Sequence, residues 1–230
     1  ADIEIEDVIS DEMRMKAVVE CKQINDSLEK VYENIKTKKI AEGQISDLLE
    51  HTHAKLDKVA KAMASDFFLK KKPMINLIDT RVKEDYIYAH MVNVAALSMI
   101  TAKGLGYKED NIVDLAKGAL VHDIGIIVGV PQEIRNKTEK LTSEEMDIIR
   151  KHPTIGYSLI RRMRGINILS AHVAYQHHER YNGTGYPRQL KEDKIAEYGY
   201  IAGIADLYDA ITNNRIYKNR VSPEKAREFL

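Results

Sequence analysis

Residues 13–68 read MRMKAVVECKQINDSLEKVYENIKTKKIAEGQISDLLEHTHAKLDKVAKAMASDFF, and the spacing of their apolar side chains decides the fold class. Ile24, Leu28, Val31 and Ile35, then Ile45, Leu49, Leu56, Val59, Met63 and Phe67, recur mainly at intervals of three and four, the period of one helix face. Glu42-Gly43 is the expected break between two helices. A face of this kind needs a partner helix. It suits a dimerising or signal-relaying hairpin, and equally a layer on the chain's own core.

Outward from this stretch, strand-like alternation is scarce and Gly and Pro fall between helix-period segments, so the chain reads as all-α. A helix over 81–103 is closed by Gly104–Gly106. Asp110 or Asn111 caps the next, which carries Ile112, Leu115, Ala119 and Leu120 into His122-Asp123. Thr142 and Glu145 have capping-box spacing, opening a short helix to about Lys151. Pro153 suits the first turn of a helix that Gly165 ends. Helices over about 167–179 and Ala196 to Ile211 flank a Gly- and Pro-containing loop, and Ser222-Pro223-Glu224 starts a last one.

The 230 residues carry 35 basic and 35 acidic side chains, one cysteine and eight histidines. Zero net charge removes the electrostatic case for a nucleic-acid polymer as partner. It hides −3 over residues 1–80 and +3 over the remainder, where Arg215, Lys218 and Arg220 lie. No apolar run approaches the roughly 20 residues of a membrane span. Cys21 alone forms no internal disulfide and sits in a polar context unsuited to a reactive thiol, so a reducing, cytoplasmic compartment is expected. The chain starts at Ala1 with acidic residues instead of a signal pattern, and the lack of an initiator methionine suggests a fragment or processed product.

Histidine with carboxylate is a ligand set for zinc, iron or manganese. His122-Asp123 lies in an apolar helical run, where a carboxylate is expensive unless paired or metal-bound. His177-His178 ends a helix before the glycine loop. His90 and Asp206 sit among small residues that allow close helix approach, and His152 falls at a helix junction. Five histidines and two aspartates thus stand on five helical segments, and a two-metal centre is the simplest chemistry for them. Two ions roughly 3.5–4 Å apart, sharing a carboxylate and a hydroxide, would clamp a phosphoryl group for in-line attack. Each of these histidines taken singly also reads as structural. His51 and His53 read as solvated, and His172 as packed or solvent-facing.

His177-His178-Glu179-Arg180-Tyr181-Asn182-Gly183-Thr184-Gly185-Tyr186-Pro187 resembles the HHExxxGxGYP signature of the HD-GYP phosphodiesterases, and His122-Asp123-Ile124-Gly125 resembles their HD motif. The similarity runs from Ile87 to Tyr217, through Lys140-Leu141-Thr142, His152-Pro153, Ala205-Asp206 with Asp209-Ala210, and Arg215 with Tyr217. The resemblance implies an all-α helical bundle of the HD superfamily. A catalytic domain over 81–230 would follow an N-terminal regulatory or dimerising segment over 1–80, with C-terminal helices incomplete beyond Leu230. It implies hydrolysis of the bacterial messenger cyclic di-GMP to pGpG and GMP by a metal-bridging hydroxide, with iron first and manganese second as the metals. His90, His122, Asp123 and Asp206 would hold one ion, and His152, His177 and His178 the other, with Asp123 bridging. The loop glycines would let backbone approach substrate. Tyr186 would line the pocket, with Arg215 and Lys218 on phosphate charge, although both also read as a solvated basic helix end. Asp209, one turn after Asp206, would orient a ligand or Arg215, and Glu179 would do the same for His178. A homodimer and an upstream sensor, receiver domain or protein partner are expected.

Two positions depart from the family's pattern. Ile126 replaces the usual lysine after Gly125 and supplies no proton or charge-assisted hydrogen bond. That favours a second reading, a catalytically weak module that binds cyclic di-GMP; a hydrolase of another cyclic dinucleotide is a third. Tyr86 occupies the place of a third-metal glutamate, so two metals are expected, although Glu84 and Asp85 adjoin it.

Overall fold

The computed structural model describes residues 6–70, 73–74, 86–212 and 225. Among them it is all-α apart from a two-residue parallel pair, β1 (Glu6–Asp7) with β2 (Pro73–Met74). The helices are α1 (Asp11–Thr37), α2 (Glu42–Phe68), α3 (Tyr86–Gly104), α4 (Glu109–Ala119), α5 (Ile124–Gly129), α6 (Gln132–Arg135), α7 (Ser143–Ile149), α8 (His152–Ile160), α9 (Ile168–Gln176) and α10 (Glu197–Thr212).

Ser10 starts α1: its Oγ accepts the Met13 N–H at 3.3 Å, while its own N–H donates to Asp66 Oδ2 at 2.6 Å and ties this end to the close of α2. Lys38, left-handed at φ 52°, ends α1, so the hairpin turns at residues 38–41 and Glu42-Gly43 opens α2 instead of separating the two. The apolar seam lies inside the chain. Ile24, Leu28, Val31, Leu56, Met63 and Phe67 are fully buried, with α1 packed on α2, α3 and α5, and α2 on α4. At about 1.5–3 kcal/mol per buried side chain, this layer is part of the core.

The centre of the bundle is α3, buried from Tyr88 through Met99 and packed against α1, α4 and α10. A helix apolar all round belongs in the interior, so its polar residues His90 and Asn93 are placed at the heart of the fold. The helix expected to run through His122-Asp123 does not. Instead α4 ends at Ala119, residues 120–123 turn, and α5 begins at Ile124. Adjacent side chains diverge on a helix, and the turn lets both face inward. The capping box at α7 is present in both directions: Glu145 N–H to Thr142 Oγ1 at 3.2 Å, and Thr142 N–H to Glu145 Oε2 at 2.8 Å. The following α8 begins at His152 itself.

Cys21 is buried, and burial pushes its thiol far above the ordinary range, in keeping with an unreactive side chain. Among the described residues no helix is long and apolar enough to cross a membrane. Residues 81–85 and, apart from residue 225, the helix expected from Ser222 lie outside the described residues.

Candidate metal centre

Five elements converge on one point. His90 comes from α3, His122 and Asp123 from the turn after α4, His152 from the first position of α8, His177 and His178 from the end of α9, and Asp206 from α10. Asp123 is at the middle. Its Oδ1 lies 3.3 Å from His152 Nε2 and 3.6 Å from His177 Nε2, and its Oδ2 lies 3.6 Å from His122 Nε2 and 4.0 Å from His90 Nε2. Asp123, His152, His177 and His178 each present a donor atom within 4.8 Å of the others, and His90, His122 and Asp123 do the same. Asp206 spans both groups, 3.2 Å from His90 Nε2 and 3.9 Å from His178 Nδ1.

The protein fixes the tautomers. Nδ1 of His122, His152 and His177 contacts the carbonyl of Ala119 (2.7 Å), Ile149 (2.7 Å) and Val173 (3.0 Å). A carbonyl only accepts, so each Nδ1 carries the hydrogen and Nε2 is the nitrogen that each ring turns inward. His90 Nδ1 meets Asp209 Oδ2 at 2.6 Å, and Asn93 Nδ2 donates to Asp209 Oδ1 at 2.8 Å.

These donors fit a cation. Burial, the largest influence on His122, pushes it down to about 4, and its buried Nε2 has no hydrogen-bond partner. That lone pair needs a positive centre. Nε2 of His152 and of His177 also face each other at 3.2 Å. Burial works against ionising Asp123, but the surrounding imidazoles of His122, His152 and His177 hold it well below the carboxylate range. Asp206 is likewise held low, against burial, by its hydrogen bond with His90. Anionic carboxylates among inward lone pairs are the state in which such ligands bind metal.

Around the centre, Tyr186 stacks on His178 with ring centroids 4.6 Å apart and lies 6.4 Å from His152, forming a wall of the site. Glu179 does not orient His178. Its two oxygens accept the N–H groups of Arg188 (2.8 Å) and Leu190 (2.9 Å), pinning the loop that carries Tyr186. Gly185 faces the chain's own backbone, where an added Cβ would meet Glu179 Cα and His178 O at 2.5 Å; here the glycine serves loop packing. Tyr86 stacks on His90 with an interplanar angle of 5°, and Glu84 and Asp85 lie outside the described residues. Arg215 and Lys218 also lie outside them. His51 is exposed and His172 packs against Tyr157, but His53 is partly buried with its Nε2 unpartnered, so it is not simply solvated.

Sequence reasoning missed Asn93 and Gln176. The first buttresses Asp209 one turn after His90; the second accepts the Ala196 N–H at 2.7 Å and fixes the approach to α10. A polar residue on a buried helix next to a ligand is the signal that could have found each. Asp209→Asn is expected to lower metal affinity about 10- to 100-fold, the usual scale for a group that orients a ligand histidine. Metal titration of the folded variant checks it.

A family model described as HD domain matches residues 43–230. The chain is 35% identical over 145 residues to a cyclic di-GMP phosphodiesterase of Pseudomonas aeruginosa, covering 63% of this chain and 35% of that protein. It is 36% identical over 162 residues to a cyclic di-GMP phosphodiesterase of Thermotoga maritima, covering 70% of this chain and 44% of that protein. This chain therefore spans less than half the length of either relative. Among solved structures, an HDG"Y"P protein from Bdellovibrio bacteriovorus superposes with a TM-score of 0.61 at 20% identity, covering 95% of this chain and 66% of that one, a likeness of fold.

Proposed function

We propose, for a chain that belongs to the HD-domain family and carries the HD-GYP signature, that it is a metal-dependent phosphodiesterase hydrolysing cyclic di-GMP. The observation that carries this reading is the placement of Asp123 with one oxygen toward His152 and His177 and the other toward His122 and His90. His90, His122, Asp123 and Asp206 would hold one ion and His152, His177 and His178 the other, with Asp123 common to both sets. When bound, the ions supply Lewis-acid charge and a water of lowered pKa. Asp209 and the three backbone carbonyls keep the imidazoles oriented, and the Tyr186 ring offers a flat wall for a base or sugar. The HD-GYP resemblance assigns iron first and manganese second, and imidazole with carboxylate donors is a set that either accepts.

Residues 81–230 are the catalytic part and 1–80 the regulatory one, acting in the bacterial cytoplasm under an upstream sensor or receiver domain or a protein partner. Since the seam is internal, the homodimer rests on exposed Met15 and Val19, one turn apart on α1. Arg215 and Lys218 are assigned to phosphate charge.

Ile126, in the first turn of α5, offers the leaving oxygen no proton. Ile126→Lys is expected to raise turnover on the order of a hundredfold, the lower reach of general-acid assistance. Steady-state rates on both proteins check it, and equal rates remove the argument from the missing lysine.

The activity itself is tested on anaerobically purified protein reconstituted with Fe(II) or Mn(II) and offered cyclic di-GMP or cyclic GMP–AMP. The reading expects pGpG and GMP from the first. Tight binding without product under either metal leaves the receptor reading instead, and cleavage of the mixed dinucleotide alone reassigns the substrate.

A further inference from the structure

We infer that Asn25, with Cys21 beside it, is a positioning residue for the His122–Asp123 turn, so that α1 sets the geometry of the metal centre. The inference rests on the reading of that centre given above.

Both side chains are fully buried on the α1 face that meets α3 and the end of α4. Asn25 Nδ2 donates to the Leu120 carbonyl at 3.3 Å, and Cys21 Sγ lies 3.3 Å from the same oxygen. Leu120 caps the C-terminus of α4, two residues before His122. The neighbouring carbonyl, that of Ala119, holds His122 Nδ1 at 2.7 Å. Consecutive peptide units thus have separate holders, one gripped by α1 and the other orienting a ligand. The same pair reaches α3 beside the next ligand: Met91 Sδ, adjacent to His90, is 3.5 Å from Asn25 Nδ2 and 3.8 Å from Cys21 Sγ.

The amide orientation is fixed by chemistry. Besides Leu120, Asn25 Nδ2 meets the Cys21 carbonyl at 2.8 Å, and two carbonyl acceptors require the NH2 end. This leaves Asn25 Oδ1 buried without a hydrogen-bond partner. Packing alone does not explain such a residue, because an apolar side chain would fill the site without an orphaned acceptor. The fold keeps the amide for its grip on Leu120. A shift of α1 is therefore transmitted to the turn that carries His122 and Asp123, and reaches α3 beside His90.

The test uses Co(II) alone as probe, read by binding titration and by the visible d–d spectrum, with thermal unfolding in parallel. Asn25→Leu fills the volume and removes the donor. The expected result is an unchanged or raised unfolding midpoint, about tenfold weaker Co(II) binding, and an altered spectrum. A lower midpoint with wild-type affinity and spectrum means a structural role only and overturns the inference, as does no change at all. Should Asn25→Leu not fold, Cys21→Ala is read the same way, a wild-type affinity and spectrum again overturning it. Since substrate is absent from the assay, a wild-type chain that binds Co(II) but hydrolyses nothing contradicts only the phosphodiesterase reading. One that takes up no Co(II) overturns the metal centre and this inference with it.

Discussion

Asp123→Asn is expected to lower the proposed cyclic di-GMP hydrolysis by about 10²- to 10³-fold, the scale of removing one group that organises charge in the transition state. The substitution keeps the volume and takes away the charge. One carboxylate oxygen now serves His152 and His177 at 3.3 and 3.6 Å while the other faces His122 and His90 at 3.6 and 4.0 Å. An amide turns an NH2 group toward one of these sides, and that group has hydrogens to donate but no lone pair to give a metal. Metal content should fall along with the rate, and elemental analysis beside the rate assay checks both. Asp147→Asn is the control, because that carboxylate is exposed and pairs with Arg150 at 3.4 Å. Its rate should equal wild type.

Gly125→Ala is expected to destabilise the fold by about 3 kcal/mol, the upper range for overpacking, and to weaken the metal centre. An added Cβ would run into the carbonyl of His152, with that residue's carbonyl carbon 2.7 Å away. Backbone on both sides leaves no flexible side chain to yield, so α5 and α8 must separate and take His152 from Asp123. For a chain of this size the unfolding midpoint should drop roughly 6–12 °C. Gly43→Ala is the contrasting case. Nothing lies within 4 Å of a Cβ there, so a gain of up to about 1 kcal/mol is expected from the restricted unfolded chain. Thermal unfolding of both variants against wild type checks the pair.

The seven ligand candidates were legible because histidines and aspartates in apolar, small-residue contexts are costly, and because the HD and GYP signatures fix their order. Their mutual placement was not. Periodicity carries the apolar run Leu115 to Ile127 straight through as helix, whereas two adjacent side chains aimed at one centre require the turn at residues 120–123. The seam on α1 and α2 shows the same limit: spacing reveals that a face is covered and not what covers it, and here the cover is α3, α4 and α5. Glu179 was misread for a related reason. A carboxylate beside a ligand histidine suggests that it orients the ring, but the backbone N–H groups of Arg188 and Leu190 curl back and claim both oxygens. Asn25 was not legible at all, since one polar residue in an apolar seam looks the same whether it faces solvent or grips a neighbouring helix.

The central claim is that these five histidines and two aspartates form a dinuclear site. Iron, manganese and zinc quantified per folded chain, after anaerobic purification and removal of loosely bound ions, test it most directly. The account predicts a pair of transition-metal ions per chain, reduced in Asp123→Asn. A folded wild-type chain that retains none, and takes up none when Fe(II) or Mn(II) is offered, would contradict it.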